Sequence, residues 1–467
     1  MNTTLTNFRD TIFALSSGPP PAAIAVVRVS GPAAGGALSK LIGRLPEARR
    51  AALVRVRDRS GEPIDQALAL WFPAPASETG EDVAELQLHG GRAVIAAVLR
   101  ELATFDGCRL AEPGEFTRRA FENGHLDLTQ VEAIADLVDA DTEAQRRQAV
   151  LQLGGLLGNR AETWRQRLIE AVALVEAGID FPDEGDVPAS LLPEVTRRVE
   201  ALASEIKEAL ASAGRGERLR DGMWVVISGP PNAGKSTLLN RLARREAAIV
   251  SPIAGTTRDL VEVHLDLQGY PVNLIDTAGI REASDDPIEL EGMRRARNAA
   301  ARADLVLWLV DAADAAALKN VSSAPRGVGD RNPLRWIVLN KMDCLDGQAR
   351  HQLEAAVRGT TGRDQPVHFV SAATGHGMDQ LIGSMVAMVE GAFRLEPALV
   401  TRERQRLRLE EALGALDAAL AKMAGWEGEE LIAEELRAAL TSLGKLTGRV
   451  DVEEVLDVIF RDFCIGK

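Results

Sequence analysis

The run Gly229-Pro230-Pro231-Asn232-Ala233-Gly234-Lys235-Ser236 constrains the fold of this chain more than any other feature of it. It follows a short β-prone run, Val225–Ile227, and opens a helical pattern from Thr237 to Arg244, the strand, loop and helix context that a GxxxxGK[ST] loop requires. There, backbone N–H groups and a helix N-terminus converge on one point, Lys235 adds a charge, and the Ser236 hydroxyl suits magnesium. A chain of phosphates fits such a loop, and its glycines let the backbone come close. Buried runs at Val272–Asp276, Leu305–Asp311, Trp336–Asn340 and Val367–Val370 alternate with helical patterns, which predicts a mostly parallel α/β sheet. Val261, Val263, Leu265 and Leu267 alternate with polar residues ahead of Gly269, so that strand is expected to pair antiparallel with its successor.

Further motifs narrow the ligand. Asp276-Thr277-Ala278-Gly279 ends a buried strand, where the carboxylate can hold the water shell of magnesium and the Gly279 N–H can sense a terminal phosphate. Asn340-Lys341-Met342-Asp343 ends another. Asp343 can accept from guanine N1–H and the 2-amino group, a pairing adenine lacks, so the expected nucleotide is GTP. Ser371-Ala372-Ala373, after the last strand, would turn a backbone N–H toward guanine O6. The segment Ser251-Pro252-Ile253-Ala254-Gly255-Thr256-Thr257-Arg258-Asp259 stands where a switch should be, with Thr257 as a second magnesium hydroxyl. Ile280 follows Gly279, so the glutamine that orients water in Ras-type enzymes is missing; Glu289 and Glu291 are carboxylates able to replace it. Charge neutralisation has three candidate sources: Arg258, an arginine from a partner, or a monovalent cation held by the Asn232 side-chain oxygen and switch carbonyls.

Around this module the patterns change. Ile24–Ser30, Ala67–Phe72 and Val83–His89 are short β-prone runs separated by turns, with a helical stretch near Val94–Leu102, so residues 1–120 are expected to form a compact α+β domain. Beyond Leu126, helix takes over. Val131, Ile134, Ala135 and Val138 share a face, and Thr129-x-x-Glu132 carries a capping-box signature. Helical pattern runs to about Arg218, with breaks expected at Phe181-Pro182 and Val187-Pro188, and it returns after Pro397 in the series Leu431, Ile432, Leu436, Ala439, Leu440 and Leu443. The α/β module is therefore expected to be inserted into one helical domain.

With 467 residues, several modules are expected, and no run of about 18 apolar residues suggests a membrane span. The N-terminus does not read as a secretory signal, which makes the cytoplasm the expected location. Cys108, Cys344 and Cys464 lie far apart, against both a zinc site and a disulfide framework. A net charge of -14 confines any RNA contact to a local basic patch.

With these motifs in place, the sequence resembles the MnmE (TrmE) family of bacterial tRNA-modification GTPases over essentially its whole length. The marks are Gly229–Ser236, Gly255-Thr256-Thr257-Arg258-Asp259, Asp276-Thr277-Ala278-Gly279-Ile280-Arg281, Ala111-Glu112-Pro113-Gly114-Glu115-Phe116-Thr117 and the terminal Cys464-Ile465-Gly466-Lys467. The resemblance implies a multidomain α/β and α+β chain. Its parts would be an N-terminal α+β tetrahydrofolate-binding domain (1–120), a helical domain in two parts (121–218 and 393–467), and an inserted Ras-like P-loop GTPase domain (219–392). It implies potassium-dependent GTP hydrolysis, with K+ bound by Asn232, Ser251, Ile253 and Thr256 and Mg2+ by Ser236 and Thr257; Glu289 is the general base and Lys235 its catalytic companion. Arg28, Glu85 and Lys467 match positions that contact a tetrahydrofolate derivative (5-formyl- or methylene-tetrahydrofolate), and His125 stands where a lysine or arginine is expected. The resemblance further implies a homodimer and a flavin-containing partner of the MnmG (GidA) type. With that partner the family builds the 5-carboxymethylaminomethyl group on the wobble uridine of tRNA. A ribosome-assembly GTPase and a pure signalling switch are the rival readings; the first would want an RNA-binding appendage, and no KH-type loop in a basic setting stands out.

Overall fold

The computed structural model describes residues 10–180, 192–245, 262–276, 303–314, 316–322, 334–361, 365–393, 397–425 and 428–450, with 456, 459, 460, 463, 465 and 466. The chain opens with β1 (Thr11–Leu15), β2 (Ala22–Ser30), α1 (Ala34–Ile42), β3 (Ala52–Arg57), β4 (Pro63–Phe72), β5 (Val83–Gly90), α2 (Arg92–Leu102) and β6 (Cys108–Leu110). The strands form one sheet in the order β3-β4-β5-β2-β1-β6, antiparallel except between β1 and β6. Alternate residues of β2, β3, β4 and β5 turn to one face, where Val27, Val54, Ala69 and Leu86 meet Leu38 and Leu41 of α1 and Val98 and Leu102 of α2. The strands absent from the sequence reading are β1, an unalternated buried run, β6, three residues long, and β3, in which Leu53, Arg55 and Arg57 take the outward positions.

Helices follow: α3 (Glu115–Glu122), α4 (Leu128–Val138), α5 (Glu143–Leu153), α6 (Leu156–Asp180), α7 (Leu192–Ala211) and α8 (Ala213–Asp221). The expected proline breaks fall in 181–191, outside the described residues. The capping box at α4 corrects the sequence reading. Thr129 lies inside the helix, and the box is made by Asp127 and Gln130: the Gln130 N–H donates to Asp127 Oδ1 (2.9 Å) and the Asp127 N–H to Gln130 Oε1 (3.0 Å). Thr129 instead donates its hydroxyl to Asp127 Oδ1 at 2.6 Å, because a carboxylate outcompetes it for the first free N–H groups of a helix.

The α/β module comprises β7 (Met223–Ser228), α9 (Lys235–Arg245), β8 (Glu262–Leu267), β9 (Tyr270–Asp276), β10 (Leu305–Asp311), α10 (Ala317–Ser322), β11 (Leu334–Asn340), α11 (Gly347–Thr360), β12 (Val367–Phe369) and α12 (Met378–Phe393). Its sheet order is β12-β11-β10-β7-β9-β8, parallel except for the β8/β9 hairpin, as the alternation before Gly269 predicts. β7, β9, β10 and β11 are covered on both faces, which is why they read as nearly continuous apolar runs.

Two more helices follow, α13 (Glu403–Ala424) and α14 (Glu429–Thr447). α14 packs along α6, burying Ile432, Leu436, Ala439 and Leu443, and Trp164 and Leu168 of α6 are buried too. Arg437 pairs with Glu176 (2.6 Å) and Arg449 with Glu162 (3.2 Å). Two compact units result: Met1–Ala135 with Gln152–Ala203 and Arg408–Lys467, and Asp136–Leu151 with Ser204–Leu407. In the second unit α5 accompanies the α/β module. The Ala144 N–H donates to Gly269 O (3.0 Å), Gln148 exchanges two hydrogen bonds with Ala398 (2.7 and 3.1 Å), and Asp136 pairs with Arg220 (2.9 Å) and Arg402 (2.6 Å). No described helix is long and apolar enough to cross a membrane.

Candidate functional site

In the second unit the site is assembled at the carboxyl ends of the parallel strands, the edge at which open α/β sheets take their ligands. The turn from β7 into α9 needs its glycines. Gly229 has φ +148° and an added Cβ would lie 2.1 Å from Leu309 O; Gly234 has φ +93° and its Cβ would meet Asn340 Nδ2 at 2.4 Å. Asn232 is left-handed (φ 63°) and exposed, as asparagine tolerates. Lys235 is buried and donates to Gly229 O and Pro230 O, both at 2.9 Å. Burial holds its ammonium below the ordinary lysine range, and the nearby Asp276 carboxylate opposes that shift. Ser236 Oγ donates to Asp276 Oδ2 at 2.7 Å, so a hydroxyl and a buried carboxylate share one spot. Two oxygen donors of this kind fit a magnesium ion, which keeps most of its water and takes its remaining ligands from phosphates. Thr237, the next residue of α9, is exposed.

The base side is built around Asn340, which is 2% exposed. Its Nδ2 donates to Ala233 O (2.9 Å) and its Oδ1 accepts the Ala372 N–H (2.9 Å), tying the phosphate loop to Ser371–Ala373. Ser371 is fully buried; its hydroxyl accepts the Thr374 N–H and leaves Ala373 exposed beyond it. The Ser371 hydroxyl also holds the Asp343 carboxyl below its usual range, so Asp343 is ionised as a base-reading acceptor must be. Lys341 is left-handed (φ 63°), with its ammonium 2.6 Å from Asp311 Oδ2. Asp311 was missed in the sequence, though its position as a polar residue closing a buried strand, like Asp276 and Asn340, is a signal that could have found it. Ser251, Pro252, Ile253, Ala254, Gly255, Thr256, Thr257, Thr277, Ala278, Gly279 and Glu289 lie outside the described residues.

In the first unit Arg28 of β2 and Glu85 of β5 are register partners, joined at 2.9 Å and mostly buried. Arg28 also meets Glu78 at 2.5 Å and lies over the Phe116 ring, 5.6 Å from its centroid. Glu78 is a second residue that sequence reasoning missed. His125 is exposed and stands beside Gly80, in the loop that carries Glu78. Ile465 bridges antiparallel to Pro113, and Gly466 (φ +103°) sits where a Cβ would lie 2.1 Å from Leu15 O. Leu15 of β1 pairs with Val27, the neighbour of Arg28, so Gly466 docks on the strand next to the one that carries Arg28. Cys464 and Lys467 lie outside the described residues.

The family model of the MnmE helical domain matches residues 128–464, and that of the GTP-binding protein TrmE N-terminus matches residues 11–125. The chain belongs to the MnmE family. It is 56% identical over 458 residues to the tRNA modification GTPase MnmE of Rhodopseudomonas palustris, covering 98% of this chain and 99% of that protein. It is 57% identical to the MnmE of a Bradyrhizobium species with the same coverage. Among solved structures, Aquifex aeolicus Era bound to GDP and AlF4 is 27% identical, covers 35% of this chain and 56% of that chain, and gives a TM-score of 0.29.

Proposed function

We propose that this chain hydrolyses GTP in a magnesium- and potassium-dependent manner and, with a flavin-containing partner of the MnmG (GidA) type, helps form the 5-carboxymethylaminomethyl group on the wobble uridine of tRNA. The observation that carries the nucleotide reading is the Asn340 brace, which makes one unit of the phosphate loop, Asn340–Asp343 and Ser371–Ala373. In this reading the loop N–H groups and Lys235 hold the phosphates, and Ser236 with Thr257 and the Asp276 carboxylate receives the magnesium shell. Asp343 reads the guanine edge. Glu289 orients the attacking water. Asn232, Ser251, Ile253 and Thr256 hold potassium, whose charge substitutes for an arginine at the developing phosphate charge.

Arg28, Glu85, His125 and Lys467 are assigned to a tetrahydrofolate derivative, which supplies a one-carbon unit when bound. A carboxylate such as Glu85 suits the paired N–H donors of a pterin, and Arg28 suits an anionic or carbonyl oxygen. The docking of Ile465 and Gly466 beside β1 supports including Lys467. The domain division of the sequence reading, 1–120, 121–218, 219–392 and 393–467, a homodimer formed through the N-terminal domain, and a cytoplasmic location belong to the same proposal. The deciding experiment is mass spectrometry of bulk tRNA nucleosides from cells lacking this chain and from complemented cells. Loss and return of the wobble modification supports the proposal; an unchanged nucleoside profile leaves a GTPase with another task, ribosome assembly first among them.

A further inference from the structure

Of the three polar residues that close β9, β10 and β11 at the nucleotide edge, two have a task in binding and the third is Asp311. Asp276 closes β9 and Asn340 closes β11, and Asp311 closes β10 between the loops these serve, in parallel register with Asn340. Asp311 is not solvated idly. Its Oδ1 accepts the Ala313 N–H at 2.9 Å, which sets its rotamer, and its Oδ2 meets Lys341 Nζ at 2.6 Å. The backbone around Lys341 is pinned on both sides. The Ala312 N–H donates to Asn340 O (2.8 Å) and the Met342 N–H to Val370 O (3.2 Å), and between them Lys341 is held in the left-handed region that non-glycine residues avoid. The lysine side chain thus has both ends fixed. Neighbouring carboxylates do not contest the pair: Asp343 is engaged with Ser371, and Asp314 accepts from the Ala316 N–H (2.9 Å) and Asn320 Nδ2 (3.3 Å).

We infer that Asp311 is a positioning residue for the nucleotide base, acting through Lys341. A lysine whose ammonium is paired in place offers its neighbours the remaining apolar stem, held in one direction. A purine presents a flat apolar face, and a stem already ordered before binding spares the rotamer entropy that a free lysine would lose on contact. The carboxylate therefore converts a mobile cation into a fixed rail beside Asp343. The rail meets the ring face and not the exocyclic groups, so it strengthens purine binding without choosing between purines; the choice stays with Asp343.

This inference rests on the reading of Asn340–Asp343 as the base site, and the test separates the two. Asp311→Asn keeps an acceptor for the Ala313 N–H, so the turn survives, and removes the charge that holds Lys341. KM for GTP should rise about fivefold with kcat unchanged, the loss expected for one partly exposed charge-assisted hydrogen bond. Inosine triphosphate, which lacks the 2-amino group, should show the same factor. In a Lys341→Met background, where the stem remains and the ammonium is gone, Asp311→Asn should change KM by less than about twofold. An equal rise in both backgrounds would overturn the proposal and assign Asp311 to the turn alone. So would an unchanged KM for Asp311→Asn when Lys341→Met weakens binding. If Lys341→Met itself leaves KM unchanged, the base-site reading fails first.

Discussion

Replacing Asn340 by alanine tests the brace on which the nucleotide reading stands. The side chain makes two neutral hydrogen bonds, to Ala233 O and from the Ala372 N–H, each at 2.9 Å. Asn340, Ala233 and Ala372 are 2%, 1% and 3% exposed, so water does not reach the groups left behind. A buried neutral hydrogen bond contributes a net stabilisation of about 1 kcal/mol, and each orphaned partner costs about 1–3 kcal/mol. The smallest total is about 2 kcal/mol, which corresponds to about 30-fold in a dissociation constant. The unbound chain relaxes by letting the two loops part, and a nucleotide that spans them must draw them together again, so the penalty falls on binding. Asn340→Asp should do no better, since it preserves the acceptor for Ala372 but sets a carboxylate oxygen against Ala233 O. The assay is an equilibrium titration of the full chain with a fluorescent GDP analogue, alongside its far-ultraviolet circular dichroism. Affinities within about threefold of the parent for both variants, with unchanged dichroism, would refute the argument that the brace couples phosphate loop to base loop.

GTP hydrolysis should be faster in potassium than in sodium buffer at equal ionic strength, and Glu289→Ala should depress turnover while leaving nucleotide binding near normal; steady-state phosphate release in the two salts checks both. Gly466→Ala should abolish wobble-uridine modification without altering GTP hydrolysis, because the added Cβ would lie 2.1 Å from Leu15 O at φ +103°, and nucleoside analysis of tRNA beside a phosphate-release assay reads the split. Glu115 makes a pH prediction. Burial pushes its carboxyl up, but hydrogen bonds from Arg109 and the Glu112 N–H, with Arg119 beside them, outweigh that and leave it below its ordinary 4.5. A depressed folded value means stabilisation present above 4.5 and lost as pH falls through the folded value, so urea resistance should drop on acidification below about pH 4.5, and Glu115→Gln should flatten that drop.

The nucleotide half of this protein was legible in its sequence because its signals are local. The phosphate loop lies between one strand and one helix, the inner strands are apolar because both faces are covered, and the β8/β9 hairpin shows in the alternation from Val263 to Leu267. Lys235, Ser236, Asp276, Asn340 and Asp343 each sit at the end of such a readable element, so type and spacing sufficed to nominate them. The tertiary structure alone decided the pairings between distant residues. Asp127 rather than Thr129 caps α4, since the choice between nearby acceptors depends on where the helix actually begins. Arg28 belongs with Glu78 as well as Glu85, Lys341 with Asp311, and the buried Arg119 with Glu81 and Glu115, because a charge chooses its partner by the fold that brings strands side by side. Residues 136–151 join the α/β unit for the same reason: their hydrogen bonds go to Gly269, Arg220 and Ala398, which are remote in the chain and close only once it has folded.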